Sequence, residues 1–263
     1  GGLLKRSIRF RDHQGRESTV SSRRFVHMAE PHLAAMEYQI TPENWSGKVT
    51  VCSALDGSVI NAGVARYREL SSKHLQTIAR GAHGADTVYL LVQTTQSHIG
   101  VAEAARTRVY VGPTEIAVQR RLLDETESVG QELVFNLAAG QTATVEKVVT
   151  LYSSRDWAIS EPSQEALLAL ERCGRFDELL DSHMTAWQAL WRKCDVTIES
   201  SDSEQAVVRL HIFHLLQSVS PNSIGRDVGV PARGLHGEAY RGHIFWDEDR
   251  KSTRLNSSHM SES

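Results

Sequence analysis

No run of about 18 apolar residues, the length a helix needs to cross a bilayer, occurs in the 263-residue sequence, so no helical membrane span is expected. Clustered basic residues are also lacking. The formal charge is −3, and the nearest approach to a basic patch in the first half is Arg23–Arg24, flanked by Ser and Phe. That pair reads as a strand with solvated Arg side chains, so neither nucleic acid nor an anionic membrane surface is an expected partner. Cysteine is scarce: Cys52, Cys173 and Cys194 are odd in number, far apart, and outside any CxxC or Cys/His ligand spacing. A disulfide framework and a structural metal site are therefore not expected, and a reducing, cytoplasmic compartment is. Cys173 and Cys194 fall within helical patterns and read as small packed hydrophobes. A secretory signal is lacking too, but the chain opens at Gly1 inside a strand pattern without Met, so the native start is expected upstream.

What is present is an ordinary globular composition, 40% hydrophobic and 23% charged, on a length that suits one large or two ordinary domains. Up to about residue 152 the pattern is that of strands. Leu4, Arg6, Ile8 and Phe10 alternate, Asp12-His13-Gln14-Gly15 supplies a turn, and Thr19 to Val26 returns as a partner strand. Lys48 to Cys52, Thr87 to Gln93, Arg106 to Val111, Gln131 to Leu137 and Thr144 to Leu151 are further β-branched or aromatic-rich runs between Gly, Asn, Asp and Pro punctuation. Many short strands without intervening helices indicate an antiparallel β-sandwich.

The pattern changes near Ser160. Glu161-Pro162 fits a helix start, and Gln164 to Cys173 reads as a short helix ended by Gly174. From Phe176 the residues Leu179, Leu180, His183, Trp187, Leu190, Trp191 and Cys194 recur at three- and four-residue steps, a long amphipathic helix that links two domains. Trp187 and Trp191 share a face; core packing is the expected role, and a sugar-stacking platform is the alternative. Val196 to Glu199 reads as a strand, after which Ser201 and Glu204 form a capping box ahead of an apolar-rich helix, Gln205 to Val219, closed by Ser220-Pro221-Asn222. His211 and His214 have a spacing that suits a metal, but no third ligand accompanies them.

The densest chemistry lies in VGVPARGLHGEAYRGHIFWDE, Val228 to Glu248. Gly229, Gly234, Gly237 and Gly242 permit close backbone approach, while Arg233, His236, Glu238, Arg241, His243 and Asp247 alternate with Tyr240, Phe245 and Trp246. A sugar or a phosphorylated ligand suits such a mixture, because carboxylates and guanidinium groups satisfy hydroxyls while an indole covers a C–H face. A structural Gly-rich loop is the other reading.

GLHGEAYRGHIFWDE, Gly234 to Glu248, resembles the segment that opens the catalytic domain of glycoside hydrolase family 65, which includes maltose, trehalose, kojibiose and nigerose phosphorylases and some hydrolases. Ser22 to Gly57 and NAGVARY, Asn61 to Tyr67, are similar to that family's N-terminal sandwich. The resemblance implies a β-sandwich over 1–158, a helical linker over 159–200 and the beginning of an (α/α)6 barrel over 201–248. It further implies that Trp246 packs against the non-reducing glucose of an α-linked glucose disaccharide, that Asp247 accepts its hydroxyls, and that Arg241 and His243 shape the pocket. No cofactor is implied beyond inorganic phosphate as co-substrate in a phosphorylase, and a homodimer is the family's common assembly.

Inverting cleavage needs a general acid and a nucleophile on the opposite face of the sugar, a place that phosphate takes in a phosphorylase. The resemblance puts both the acidic Glu and the phosphate loop downstream of this chain, so no catalytic residue is expected in it, and Glu238 and Asp247 are not an acid/base pair. Asp249 to Ser263 is polar, Ser-rich and without apolar periodicity, and is expected to be a disordered tail foreign to the family. The contrasting expectation is a non-catalytic β-sandwich module that binds carbohydrate or serves assembly.

Overall fold

A computed structural model describes residues 1–60, 69–157, 159–220, 222, 229–230 and 234. The chain divides into two compact units, Gly1–Ile60 with Lys73–Gln188, and Asn61–Ser72 with Ala189–Ser263. The first unit carries β1 (Leu4–Arg11), β2 (Glu17–Val26), β3 (Leu33–Pro42), β4 (Gly47–Asp56), β5 (Leu75–His83), β6 (Thr87–Thr94), β7 (Gly100–Val111), β8 (Thr114–Glu115), β9 (Gln119–Asp124), β10 (Ser128–Leu137) and β11 (Ala143–Ser153), then α1 (Pro162–Arg172) and most of α2 (Phe176–Cys194).

Antiparallel pairing orders one sheet as β1-β2-β3-β11-β7-β6-β5, with β8 added to β7, and a second as β4-β10-β9. The first hairpin turns where its sequence dictates: the Asp12 carboxylate accepts the amides of Gln14 and Arg16, and Gly15 takes φ of 77°. Alternation then sets the layers. The odd-numbered residues of β4, among them Val49, Val51 and Leu55, lie beside Val129, Leu133 and Phe135 of the paired β10 and pack with Ala105 and Val109 of β7 in the inter-sheet core. The even-numbered residues of β7 and β11 point the other way, and Ala102, Ala104 and Val148 pack under Ala166 and Leu170 of α1. Strands β7 and β11 are thus largely buried on both faces, and the polar residues they carry, among them Arg106 and Glu146, are buried with them.

Buried polar side chains tie the helices to this sheet. Arg106 on β7 donates to the carbonyls of Leu170, Cys173 and Gly174 at 3.2, 2.9 and 2.9 Å, placing a cation on the carbonyls at the end of α1. Glu146 on β11 accepts the Phe176 amide at 3.0 Å, satisfying an orphan donor that starts α2. Phe176 then sits fully buried against Phe25 and Ala35, and Trp187 is buried further along the helix, which confirms core packing over a sugar platform for that indole.

Four strands, β3, β5, β9 and the two-residue β8, escape the sequence reading. LAAMEYQ in β3 carries helix-forming residues, and pairing on both sides, with β2 and β11, overrides that propensity. Arg23 is not a solvated side chain: its guanidinium forks onto Glu37 of β3 at 3.1 and 2.8 Å and reaches Asp177 of α2 at 2.9 Å. No strand forms at Val196–Glu199. The Val196 carbonyl and the Ile198 amide instead bond the side chain of Gln205, at 2.8 and 2.9 Å.

Replacing Arg106 by Met keeps the apolar stem but leaves three carbonyls without their cation. We expect a loss of about 2–3 kcal/mol in urea unfolding, the scale of hydrogen bonds to charged groups. Trp187→Ala, which empties a buried indole site, is expected to cost about 3–5 kcal/mol in the same measurement. A loss below about 1 kcal/mol in either variant contradicts the packing described.

Candidate functional site

The second unit contains α3 (Asp202–Ser218), and its start is as the sequence dictates. Ser201 Oγ accepts the Glu204 amide at 3.4 Å, and Glu204 returns a carboxylate oxygen to the Ser201 amide at 3.3 Å. The residues before the helix are pinned to it: Arg209 grips Asp195 with two bonds of 2.9 and 2.8 Å, which holds the Asp195 carboxyl below its ordinary range. At the other end Gly234, the first residue of the Gly-rich motif, has φ of 56°, and a Cβ there would stand 2.7 Å from Ser218 Oγ. Glycine is required at that position on both counts, because backbone approaches the last turn of α3 in a left-handed conformation.

Trp246, Asp247, Arg241 and His243, the residues expected to bind sugar, lie outside the described residues, as does the tail Asp249–Ser263. Among the described residues no group of three or more His, Cys, Asp or Glu side chains is arranged to hold a metal ion. The three thiols are free, and burial pushes that of Cys173 up, away from nucleophilic use.

Sequence reasoning did not single out the clefts of the sandwich, among them one beside Arg9, Arg11 and Glu17 and two more enclosed ones. One, of about 600 Å³, is lined by Asp56, Ser58, Glu125, Glu127 and Ser128 among others. Its carboxylates are committed: Asp56 accepts both the amide and the hydroxyl of Ser58, Glu127 binds Lys73, and Glu125 takes the Ser128 hydroxyl at 3.4 Å. The other, of about 250 Å³, lies beside the end of α1, where Arg108 is paired with Asp86 at 2.7 Å and Arg106 with the helix carbonyls. Glu103 and Lys147 lie on the inner faces of β7 and β11, where burial raises the carboxyl and depresses the ammonium while each charge partly offsets the shift of the other. Lys147 donates to the Ala54 carbonyl at 2.7 Å, a cross-sheet tie. None of these groups unites an activated acid with an open substrate site. The described residues make up the sandwich and its helices, and the densest polar chemistry of the sequence lies in the motif that follows α3.

Comparison with known proteins agrees with that division. The description "Glycosyl hydrolase family 65, N-terminal domain" matches residues 1–190, and "Glycosyl hydrolase family 65 central catalytic domain" matches residues 209–250. An uncharacterized glycosyl hydrolase of Mycobacterium tuberculosis is 45% identical over 244 residues, covering 93% of this chain and 18% of that protein. A kojibiose phosphorylase of Caldanaerobacter subterraneus is 31% identical over 255 residues, covering 94% of this chain and 32% of its own length. A solved structure of a candidate kojibiose phosphorylase from the human microbiome superposes with a TM-score of 0.75 at 21% identity, over 93% of this chain and 30% of that one, a likeness of fold. The chain therefore spans a third or less of the relatives it matches, and its sandwich, its helices and the first part of its catalytic region belong to glycoside hydrolase family 65.

Proposed function

We propose that this chain is the sandwich, linker and barrel opening of an enzyme that transfers glucose from an α-linked glucose disaccharide to inorganic phosphate with inversion. The observation that carries the reading is the collinear match of both family regions on one chain, together with alignment to a kojibiose phosphorylase over 94% of this chain. An α,α-trehalose phosphorylase of Thermoanaerobacter brockii aligns over the same share at 30% identity.

In this reading the division is 1–158, 159–200 and 201–248, and Trp246 and Asp247 contribute to the subsite of the transferred glucose. The indole covers one C–H face of the ring, the carboxylate accepts its hydroxyls, and Arg241 and His243 border the pocket. Phosphate attacks the anomeric carbon from the face opposite the departing sugar while an acid supplied by the rest of the barrel protonates the leaving oxygen. The intact enzyme works as a homodimer.

The test is to express the reading frame that continues past Glu248 and assay α-linked glucose disaccharides with and without phosphate. Phosphate-dependent release of β-glucose 1-phosphate is expected. Phosphate-independent glucose assigns a hydrolase instead, and turnover of no such disaccharide overturns the reading. In the active protein Asp247→Asn is expected to lower kcat/KM by about 10- to 150-fold, the kinetic equivalent of losing about 1.5–3 kcal/mol of charge-assisted hydrogen bonding.

The 263-residue chain itself has a further expected behaviour. Helix α3 has no buried residue, and Val207, Leu210 and Leu215 are 51, 52 and 62% exposed. Apolar surface of that kind associates in water. Light scattering is expected to show self-association of this chain, and Leu210→Glu with Leu215→Glu to reduce it to monomer.

A further inference from the structure

Two buried imidazoles, His27 after β2 and His183 on α2, join the sandwich to the first half of α2, and their hydrogen bonds define their protons. His27 Nδ1 accepts the amides of Ala29 and Glu30 at 3.2 and 2.9 Å, and its Nε2 lies 2.8 Å from Ser182 Oγ, whose own proton goes to the Leu179 carbonyl. Nε2 must therefore carry the hydrogen of His27. His183 repeats the arrangement: Nδ1 accepts the Met28 amide at 3.2 Å, and Nε2 donates to the Gly1 carbonyl at 2.9 Å. Gly2 permits that last bond, because a Cβ on it would stand 2.5 Å from the Trp187 indole nitrogen. Both rings are neutral, in one tautomer, and 5.7 Å apart between centroids, with Phe25 against them.

We propose that His27 and His183 form an acid-operated latch, in which protonation at Nδ1 sets an N–H against the backbone amides it now accepts and releases the first half of α2 from the sandwich. A proton on His27 Nδ1 would face two amide hydrogens, and one on His183 Nδ1 a third. No rotation of a fully buried ring relieves this, since Nε2 is already a donor at the other side. Two imidazolium ions would also repel each other in a site that excludes water.

The surrounding charges are few. Glu30 favours a charged His27, whereas the Gly1 ammonium of this chain and the His27 imidazole oppose charge on His183. Arg23 of β2, Glu37 of β3 and Asp177 of α2 bind one another at this junction, and Arg175 ahead of α2 is paired with Glu146 of β11 at 3.5 Å. Burial dominates, and holds both imidazoles below their ordinary value.

Released histidines protonate near pH 6.5, whereas the latched ones resist, so the open form binds more protons and gains as pH falls. The latch is fully closed above about pH 6.5. Each ring contributes up to tenfold per pH unit below it, so opening is expected to rise as much as about a hundredfold from pH 7.5 to 5.5.

The test is hydrogen exchange of the 263-residue chain at those two pH values, corrected for intrinsic exchange rates. Protection is expected to fall at acid pH in residues 179–188 while amides of β7 and β11 keep theirs. Replacing both rings, His27→Asn with His183→Asn, retains an Oδ1 acceptor where each Nδ1 stood and removes the titration, so its protection is expected to be flat with pH. Unchanged protection of the original chain, or an equal acid loss in the double variant, overturns the latch. Should the double variant not fold, ring 15N shifts of the unaltered chain decide: acceptor-type Nδ1 signals that resist titration at pH 6.5 support the latch, and ordinary titration near that pH refutes it.

Discussion

Strand β11 is the one neighbour shared by β3 and β7, and through it two otherwise separate hairpin systems become a single sheet. It pairs with β7 from Ala143 to Ser153 and with β3 from Ala143 to Thr150, so both of its edges are occupied along most of its length. Both faces are occupied too. Val145 looks into the inter-sheet core, Val148 and Thr150 look toward α1, and Glu146 supplies the acceptor that starts α2. A single strand thus sets the height of both helices and the depth of the core. A one-residue slip would turn Glu146 into the apolar interior and Val145 onto the helix ends, a change of every contact at once.

Charged side chains used as backbone partners recur through the described structure. Arg106 ends one helix, Glu146 begins the next, and Asp12 folds the first turn. Each answers a demand that a helix terminus or a turn makes on any sequence, namely that exposed donors and acceptors find partners when water is excluded. In the second unit the uncharged side chain of Gln205 does the same for Val196 and Ile198, while Arg209 holds the Asp195 carboxylate. What unites these residues is that each spends its hydrogen-bonding groups on the fold, Arg106 included although it borders a cleft.

Much of this was legible in the chain. The hairpin over Leu4 to Val26, the capping box at Ser201 and Glu204, and the burial of Trp187 all follow from local chemistry, because a turn, a cap and an amphipathic stripe are written within a few residues. The strand character of β3 was not, since Ala34, Ala35 and Met36 favour a helix in isolation and are held extended by partners more than a hundred residues away in β11. Arg23 misled for the same reason: its acceptor Asp177 lies 154 positions along the sequence. Of the functional region, the motif itself identified the family, while Trp246 and Asp247 lie outside the described residues. Short-range signals reached the turns, the caps and the amphipathic stripe, and the long-range pairings of β3 and Arg23 lay beyond them.

The position of β11 also has a consequence for how the protein is made. A ribosome releases β1, β2 and β3 as consecutive hairpins, then β5, β6 and β7, and each group can pair internally as it emerges. The strand that joins them comes last of all. At ordinary elongation rates the open edge of β3 waits roughly 5–20 s for Ser153 to be added, and that of β7 waits about a third as long. During that interval the nascent chain displays two unpaired edges with apolar faces, the kind of surface that chaperones bind and that neighbouring nascent chains pair with.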